Sequence, residues 1–200
     1  MSTFQFPKSI ITRPVYGKLL PRVGTAHLMM ADAEGAEALL DMAQTAPDLM
    51  ARAQVFFIQK GTPYIDLLKA AGPMQLYIAP SYAASVSRLR KTLQDAHMGL
   101  QIYLAGTEGM IGQALNEAMA AGHPMDAIQT EHRGSVARRM QCVHCKGITE
   151  DVIHDPFVCT HCGLNLFVRD HYSRRIAAFQ GVCIDAEDPG LVPPAKELYS

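Results

Sequence analysis

A mixed α/β fold is predicted for this 200-residue chain: a parallel, doubly wound sheet followed by a small four-cysteine metal-binding ribbon. Short apolar runs typical of buried strands alternate with stretches whose apolar residues recur at helical spacing. Strands that alternate with helices are joined by right-handed crossovers, so the strands are parallel and helices cover both faces. Near the carboxyl terminus, four of the five cysteines form two CxxC pairs.

The first two strands flank an amphipathic helix. Residues 25–31 contain the buried run Leu-Met-Met, and a turn at 32–35 follows it. Leucine and methionine recur at helical spacing over residues 36–46, and Pro47 is expected to stop that helix. The second strand, 53–59, holds a continuous Val-Phe-Phe-Ile run, which suits a strand covered on both faces.

The later elements of the α/β part follow the same alternation. A short helix at 65–71, closed by Gly72, precedes the third strand at 75–79. Ser81 caps a helix that runs through His97 with its leucines on one face. The last three elements are a strand at 101–105, a helix that starts at Thr107 and ends at Gly122, and a short strand at 127–129.

Changes in composition divide the chain into four segments. Prolines block regular helix in residues 1–23, and this apolar arm is expected to dock on the chain's own domain in preference to a partner. The α/β domain follows at 24–137, and a polar, basic stretch around Gly134 marks its end. The metal-binding module is predicted at 138–183, and a proline-containing tail occupies 184–200.

Thirteen residues separate the two CxxC pairs, Cys142-Val-His-Cys145 and Cys159-Thr-His-Cys162. Each CxxC turn directs two sulfurs to one centre, and a hairpin of this length brings the second turn beside the first. In a chain without an export signal, four such cysteines indicate a bound metal before two disulfides. Glycines at 147 and 163 are expected to let the backbone curl so that amides face sulfur.

Zinc is favoured over iron in this site. A zinc ion held by four cysteines is structural and has no open position for chemistry. Iron in the same cage would make an electron carrier similar to rubredoxin, but the gap between the pairs is short for that family and neither pair has its Cys-Pro-x-Cys-Gly form. The module has few large apolar residues, so we expect it to need the metal, which adds on the order of 10 kcal/mol to folding.

Other candidate side chains have simpler interpretations, and no catalytic residue is predicted. Three histidines lie in or between the pairs, at 144, 154 and 161, but four cysteines already fill a tetrahedron. Cys183 is expected to be a small buried apolar residue. The run Asp-His-Tyr-Ser-Arg-Arg at 170–175 lacks the setting of a hydrolase triad. Its favoured uses are salt-bridged packing or a partner contact by Arg174 and Arg175.

Charge and hydropathy argue against two classes of partner. The 18 basic and 19 acidic residues give a net charge of -1, which supplies no electrostatic basis for binding nucleic acid or a membrane surface. No apolar run is long enough for a membrane helix. The first residues lack the basic and then apolar pattern of a secretory signal, so a cytoplasmic location is expected.

One segment of the α/β domain resembles a known nucleotide-binding module. Gln101-Ile-Tyr-Leu-Ala-Gly-Thr-Glu-Gly-Met-Ile-Gly and the short strand after it are similar to the late strand, loop and helix of the NAD(P)-binding half of ferredoxin reductases. This resemblance covers about residues 24–133. It implies cofactor-binding positions at Gly106, Thr107 and Gly109.

The sequence departs from that family where the nucleotide would bind. The turn after the first strand carries Asp32 and Glu34, whose carboxylates would repel pyrophosphate at a site that needs bare amides. Ala105 replaces the cysteine that the family places beside the nicotinamide, and Thr107 replaces its proline. We therefore predict a reductase-derived domain whose nucleotide site is vestigial.

Over nearly its full length, the chain resembles the A-type subunit of bacterial dimethylamine monooxygenase. The most specific part is residues 142–187, where the CxxC pairs are followed by Phe-Val-Arg-Asp-His-Tyr and then by Asp-Ala-Glu. The resemblance implies a multisubunit, NAD(P)H-dependent oxygenase that converts dimethylamine and O2 to methylamine and formaldehyde. NAD(P)H, flavin and the other redox groups would lie on companion subunits, because this chain shows neither a flavin barrel nor a haem pocket.

The predicted function is therefore an accessory subunit that holds a structural zinc ion and partners the other subunits of that oxygenase. The alternative is a rubredoxin-like electron-transfer subunit with iron bound by the same four cysteines. A free-standing zinc ribbon that binds nucleic acid is disfavoured because the chain lacks a broad basic surface.

Overall fold

Five parallel strands and their connecting helices form the first domain of the computed structural model, which describes residues 13–59 and 64–199. The strands coincide with the apolar runs of the sequence, and the helices with the amphipathic stretches between them. The strands are β1 (Ala26–Asp32), β2 (Ala53–Ile58), β3 (Gln75–Ala79), β4 (Leu100–Gly106) and β5 (Ile128–His132). The helices are α1 (Gly35–Thr45), α2 (Pro47–Met50), α3 (Tyr64–Ala70), α4 (Tyr82–Gln94) and α5 (Glu108–Ala120).

The strand order β3-β2-β1-β4-β5 makes this sheet doubly wound. The chain moves outward from β1 to β3 and then returns to the other side of β1 for β4 and β5, so the order reverses between β1 and β4. Neighbouring side chains of β1 enter different cores: Met29 packs with residues of α1 and α3, and Met30 with residues of α4 and α5. The predicted fold class is confirmed.

Three features of these elements differ from the prediction, one of which is β5, which runs to His132 and not to residue 129. Pro47 follows the end of α1, but it also begins the short helix α2, because its fixed φ suits the first helical position. Helix α4 ends at Gln94, three residues before His97. The chain then turns at Gly99 and enters β4. The φ of Gly99 is 94°, a positive value that glycine adopts readily because it has no Cβ.

Seven short strands in the described part of the chain build the ribbon and its tail. Five form one sheet in the order β7-β6-β11-β10-β9, in which β6 and β11 are parallel and the other pairs are antiparallel. Met140, Leu166 and Phe179 are buried in its core. The strands are β6 (Arg138–Cys142), β7 (Ile148–Val152), β8 (His154–Asp155), β9 (Phe157–Val158), β10 (Asn165–Ser173), β11 (Ala178–Cys183) and β12 (Lys196–Glu197).

The described part of the amino-terminal arm contacts β5, an edge strand of the parallel sheet. The Gly17 N–H donates to the Thr130 carbonyl oxygen (3.0 Å), and the Leu19 N–H donates to the Glu131 carboxylate (2.7 Å). The Leu19 side chain is 3% exposed and lies in the core that faces α1. The arm therefore covers this edge of the sheet with its own backbone.

The end of the tail returns to the ribbon. Strand β12 pairs with β8, and the Leu198 N–H donates to the Ile153 carbonyl oxygen (2.9 Å). The rings of Phe179 and Tyr199 both contact the Arg138 guanidinium, with each ring centroid 4.2 Å from its central carbon. Arg138 is 5% exposed, so these cation–π contacts, which we call the Arg138 stack, form away from water.

One side of helix α5 packs against the ribbon. A Cβ added to Gly112 would overlap the Tyr172 hydroxyl and would lie 2.7 Å from the Ala177 Cβ. The side-chain amide of Asn116 donates to two consecutive carbonyl oxygens of the turn between β10 and β11 (2.9 and 3.2 Å). None of the helices within residues 13–59 and 64–199 combines the length and apolar character needed to cross a bilayer.

Candidate metal centre

Four cysteine sulfurs meet at one point of the ribbon, all within 4.8 Å of one another. The Sγ atoms of Cys142 and Cys162 are 3.8 Å apart, and those of Cys145 and Cys159 are 3.7 Å apart. Four sulfurs placed about 2.3 Å from a central metal form a tetrahedron with edges of about 3.8 Å, whereas disulfide sulfurs are about 2.05 Å apart. The spacing fits one four-coordinate ion and does not fit two disulfides.

A closed turn at the end of β6 positions the first pair of sulfurs. The Cys142 N–H donates to the Gly147 carbonyl oxygen (3.0 Å), and the Lys146 N–H donates to the Cys142 carbonyl oxygen (2.9 Å). Lys146 adopts a left-handed conformation with φ of 64°, and the Gly147 N–H then donates to Cys145 Sγ (3.4 Å). An amide directed at sulfur favours the thiolate, which is the form that binds metal.

The second CxxC pair repeats this turn. The Cys159 N–H donates to the Leu164 carbonyl oxygen (2.9 Å), and the Gly163 N–H donates to the Cys159 carbonyl oxygen (3.0 Å). Gly163 is left-handed, with φ of 74°. It is therefore the counterpart of Lys146, so one turn uses glycine and the other a strained lysine at the same point.

The role predicted for Gly147 needs a correction. Its amide does face sulfur, but the left-handed residue that curls the chain is Lys146. A Cβ on Gly147 would lie 2.5 Å from two ring carbons of His161, whose Nε2 is 2.8 Å from the Ile148 carbonyl oxygen. Gly147 therefore lets the two turns pack against each other, a long-range need that local sequence does not reveal.

The two thiols of the second CxxC pair have shifted pKa values, one lowered and one raised. Burial of Cys159 opposes its ionisation, but hydrogen bonds from the Cys162 and His161 amides and from neighbouring thiols outweigh it and lower its pKa to about 6. The Leu164 amide favours the Cys162 thiolate, but burial and the other three cysteines raise the pKa of that thiol to about 12. A cation at the centre favours the thiolate form, because thiolates bind a metal in place of protons.

Cys183 lies outside this group. Its sulfur donates to Asp185 Oδ1 (3.2 Å), and that hydrogen bond raises the pKa of the thiol. The residue packs against the ribbon core as predicted, but its side chain is partly rather than fully buried. The histidines at 144, 154 and 161 are not among the groups that gather around one point in the described residues.

The other predicted site lies where the strand order reverses. The Asp32 carboxylate, at the end of β1, accepts hydrogen bonds from the Thr107 N–H (2.8 Å) and from the Thr107 hydroxyl (2.6 Å). Gly106 has φ of 131°, and a Cβ there would overlap the Asp32 carboxylate. Asp32 is 1% exposed. Asp32 therefore accepts the hydrogen bonds of the Thr107 amide and hydroxyl. Thr107 is one of the residues that the resemblance to reductases assigned to nucleotide binding.

A cleft of about 300 Å³ remains beside this point, between the two domains. Thr107 and Gly109 line it at the start of α5, and Arg139, Glu150 and Asp151 line it from the ribbon. Arg139 also forms an ion pair with Glu150. The structure thus brings Gly106 and Thr107 together with Asp32, and sets Gly109 against the ribbon.

Two family models cover most of the chain. Residues 8–128 match the N-terminal domain of the family described as dimethylamine monooxygenase subunit DmmA-like, and residues 139–182 match its C-terminal domain. The chain belongs to the DmmA-like family. The resemblance proposed from the CxxC pairs and the segment that follows them is confirmed.

A curated relative of this DmmA-like chain is the heme-dependent oxidative N-demethylase delta subunit of Ectopseudomonas mendocina (strain ymp). The two are 37% identical over 110 residues, which are 55% of this chain and 63% of the relative. The match therefore spans less than two-thirds of the relative's own length.

Two solved structures are similar to part of the DmmA-like chain. The ferredoxin reductase in carbazole 1,9a-dioxygenase, in its FAD apo form, is 22% identical, with a TM-score of 0.41 over 56% of this chain and 34% of that chain. A flavohemoglobin from Malassezia yamatoensis with bound FAD and heme is 14% identical, with a TM-score of 0.40 over 56% of this chain and 32% of that chain.

Proposed function

We propose that this chain is an accessory subunit of a multisubunit dimethylamine monooxygenase. In that reaction dimethylamine, O2, NAD(P)H and one proton give methylamine, formaldehyde, water and NAD(P)+. The family match supports the assignment, and the relative named as a delta subunit of an oxidative N-demethylase implies companion subunits. A cytoplasmic location is part of the proposal, since a thiolate cluster requires reduced cysteines.

The hydrogen bonds from Thr107 to Asp32 are the observation that supports the accessory role. An anion such as pyrophosphate binds a helix amino terminus through free amides, and here one of them, the amide of Thr107 just before α5, is bonded to a carboxylate of the chain itself. A nucleotide phosphate at this point would displace Asp32 or meet its charge. We therefore place NAD(P)H, flavin and the oxygenase chemistry on the companion subunits, and regard Gly106, Thr107 and Gly109 as vestigial.

We assign zinc to the four cysteines as a structural ion. Such an ion links the turn between β6 and β7 to the turn before β10, which joins both ends of the ribbon sheet. With four sulfurs around it, zinc has no open position for a substrate or water. Its contribution is to the fold, on the order of 10 kcal/mol, rather than to a chemical step.

Reconstitution of the monooxygenase from its separate subunits tests this function. The wild-type chain should co-elute with the companion subunits and carry one zinc per chain, and omission of the chain should lower formaldehyde release from dimethylamine. Absence of co-elution, or unchanged formaldehyde release without the chain, would contradict the accessory role. NAD(P)H should bind the companion subunits and not the isolated chain.

Iron is the second candidate because Cys145 is exposed. A ligand at the surface gives an electron a short path between the ion and a docked partner, and four-sulfur spacing does not distinguish the two metals. Elemental analysis and a visible spectrum of the natively purified chain separate them. A coloured protein that contains iron and bleaches on reduction would replace the zinc assignment, whereas a colourless zinc protein would remove the electron-transfer alternative.

A further inference from the structure

Two side chains of the polar run at 170–175, Asp170 and Tyr172, make contacts within the chain. Asp170 Oδ1 lies 3.3 Å from Nη2 of Arg138, the arginine of the Arg138 stack. Tyr172 is 6% exposed and its hydroxyl reaches the α5 backbone beside Gly112. These two side chains serve packing, so they do not account for the arginines that flank them.

Three arginines around this run keep their charge at the surface. Arg169, Arg174 and Arg175 are exposed, and no carboxylate in the described residues lies within ion-pair distance of them. The acid next to Arg169, Asp170, is already paired with Arg138. Uncompensated guanidiniums therefore lie on β10 and on the turn after it, and we call these three residues the arginine stripe.

The backbone beneath the arginine stripe is fixed by the fold. The pairing of β10 with β11 shifts register between Arg169 and Tyr172, a bulge that leaves residues 169–171 exposed. Asn116 of α5 anchors the following turn through two carbonyl oxygens. A surface ordered in advance loses less conformational entropy when it binds, which suits an interface.

We propose that the arginine stripe docks on a carboxylate-rich surface of a companion subunit, an inference that rests on the proposed function. Guanidinium groups pair with carboxylates in a planar, two-bonded geometry and are less strongly hydrated than the lysine ammonium. All three cations of the stripe are arginine, which suits a contact that loses water. Charge complementarity therefore specifies aspartate and glutamate on the partner.

Two other partners are outcomes of the test, a nucleic acid and a second copy of the chain. Residues 24–137 contain eleven acidic and seven basic residues, so a phosphate backbone that extended beyond the stripe would meet repulsion. A second copy of the chain would present its acidic α/β domain to the arginine stripe. Self-association and oligonucleotide binding are therefore measured beside assembly.

The experiment measures the dissociation constant for assembly with the companion subunits at low and high salt. It compares the wild type, R174E/R175E, the milder R174Q/R175Q and the control R52E/K69E, which makes the same change of charge at exposed positions outside the ribbon. R174E/R175E should weaken assembly about tenfold at low salt and flatten its salt dependence, R174Q/R175Q less so, and R52E/K69E should match the wild type. Metal content and thermal unfolding check that each variant is folded.

Each outcome decides the inference. Equal assembly by R174E/R175E and the wild type overturns it and leaves the proposed function standing, whereas no assembly by the wild type overturns both. A salt-sensitive homodimer or an oligonucleotide complex that R174E/R175E abolishes assigns a different partner and also overturns it. Phenylglyoxal modification of the wild-type complex needs no substitution: protection of Arg174 and Arg175, relative to the free chain, supports the inference, and unchanged reactivity contradicts it.

Discussion

Asp32 and Thr107, which are 75 residues apart in sequence, are joined by two hydrogen bonds across the point where the sheet order reverses (2.8 and 2.6 Å). In doubly wound sheets this crevice is the usual place for a ligand. Here a side chain of the chain supplies the negative charge that a phosphate would bring. The relationship links the proposed loss of nucleotide binding to the stability of the domain.

Asp32→Ala should therefore lower the stability of the α/β domain. Two hydrogen bonds to a buried charged group are lost, so the free energy of unfolding should fall by about 2–4 kcal/mol. Asp32→Asn keeps an oxygen for the Thr107 amide and should cost less. Urea unfolding of the three proteins measures this, and NADH titration of the wild type should show no binding; equal stability of Asp32→Ala and wild type would contradict the structure.

Removal of the metal should unfold the ribbon and spare the α/β domain. Cys142→Ser or Cys159→Ser each leaves three sulfurs around the ion, so metal content should fall well below one per chain. Cys183→Ser is the matched control, since that sulfur is outside the group. Elemental analysis and limited proteolysis check both points; loss of metal in Cys183→Ser, or an intact ribbon without metal, would contradict the assignment of ligands.

Stability should depend on pH through His27. This β1 residue is 1% exposed, and neither ring nitrogen has a hydrogen-bond partner among the described residues. Burial, and then the charge of Arg52, lower its pKa below the ordinary 6.5. The unfolded chain therefore takes up a proton that the folded chain excludes, so the stability present above about pH 6.5 is lost as the pH falls below that value.

His27→Leu should remove this component of the pH dependence. Its slope reaches at most about 1.4 kcal/mol per pH unit for one proton. Urea unfolding at several values from about pH 5 to 8 measures it, with His97→Leu as the control because His97 is exposed. An unchanged slope in His27→Leu would show that another group titrates.

Two glycines of α5 should respond oppositely to alanine. Gly112→Ala places a methyl group against the Tyr172 hydroxyl and the Ala177 Cβ, so it should destabilise the contact between the domains by about 1–3 kcal/mol. Gly109→Ala meets Arg139 at 3.5 Å, an ordinary contact, and should gain up to about 1 kcal/mol from helix propensity. Thermal unfolding distinguishes them, and equal effects would contradict the packing of the ribbon on α5.

Local pattern was sufficient for the elements of the fold and for the gathering of the four cysteines. A run such as that of β2 has one plausible buried conformation, and CxxC spacing constrains its sulfurs directly. Contacts between distant residues gave no such signal. The bond from Thr107 to Asp32, the contact of Gly147 with His161 and the Arg138 stack depend on which surfaces meet after folding, and each joins residues that no periodicity relates.

The parallel pairing of β6 with β11 has a consequence for biosynthesis. During synthesis β6 leaves the ribosome first, the second CxxC pair follows, and β11, the parallel partner of β6, comes last. The ribbon sheet can therefore close only after all four cysteine ligands have been made. The α/β domain needs none of these later residues for its own sheet. A cell short of the metal would accumulate chains with a finished first domain and an open second one, and supply of the ion would then limit how many chains mature.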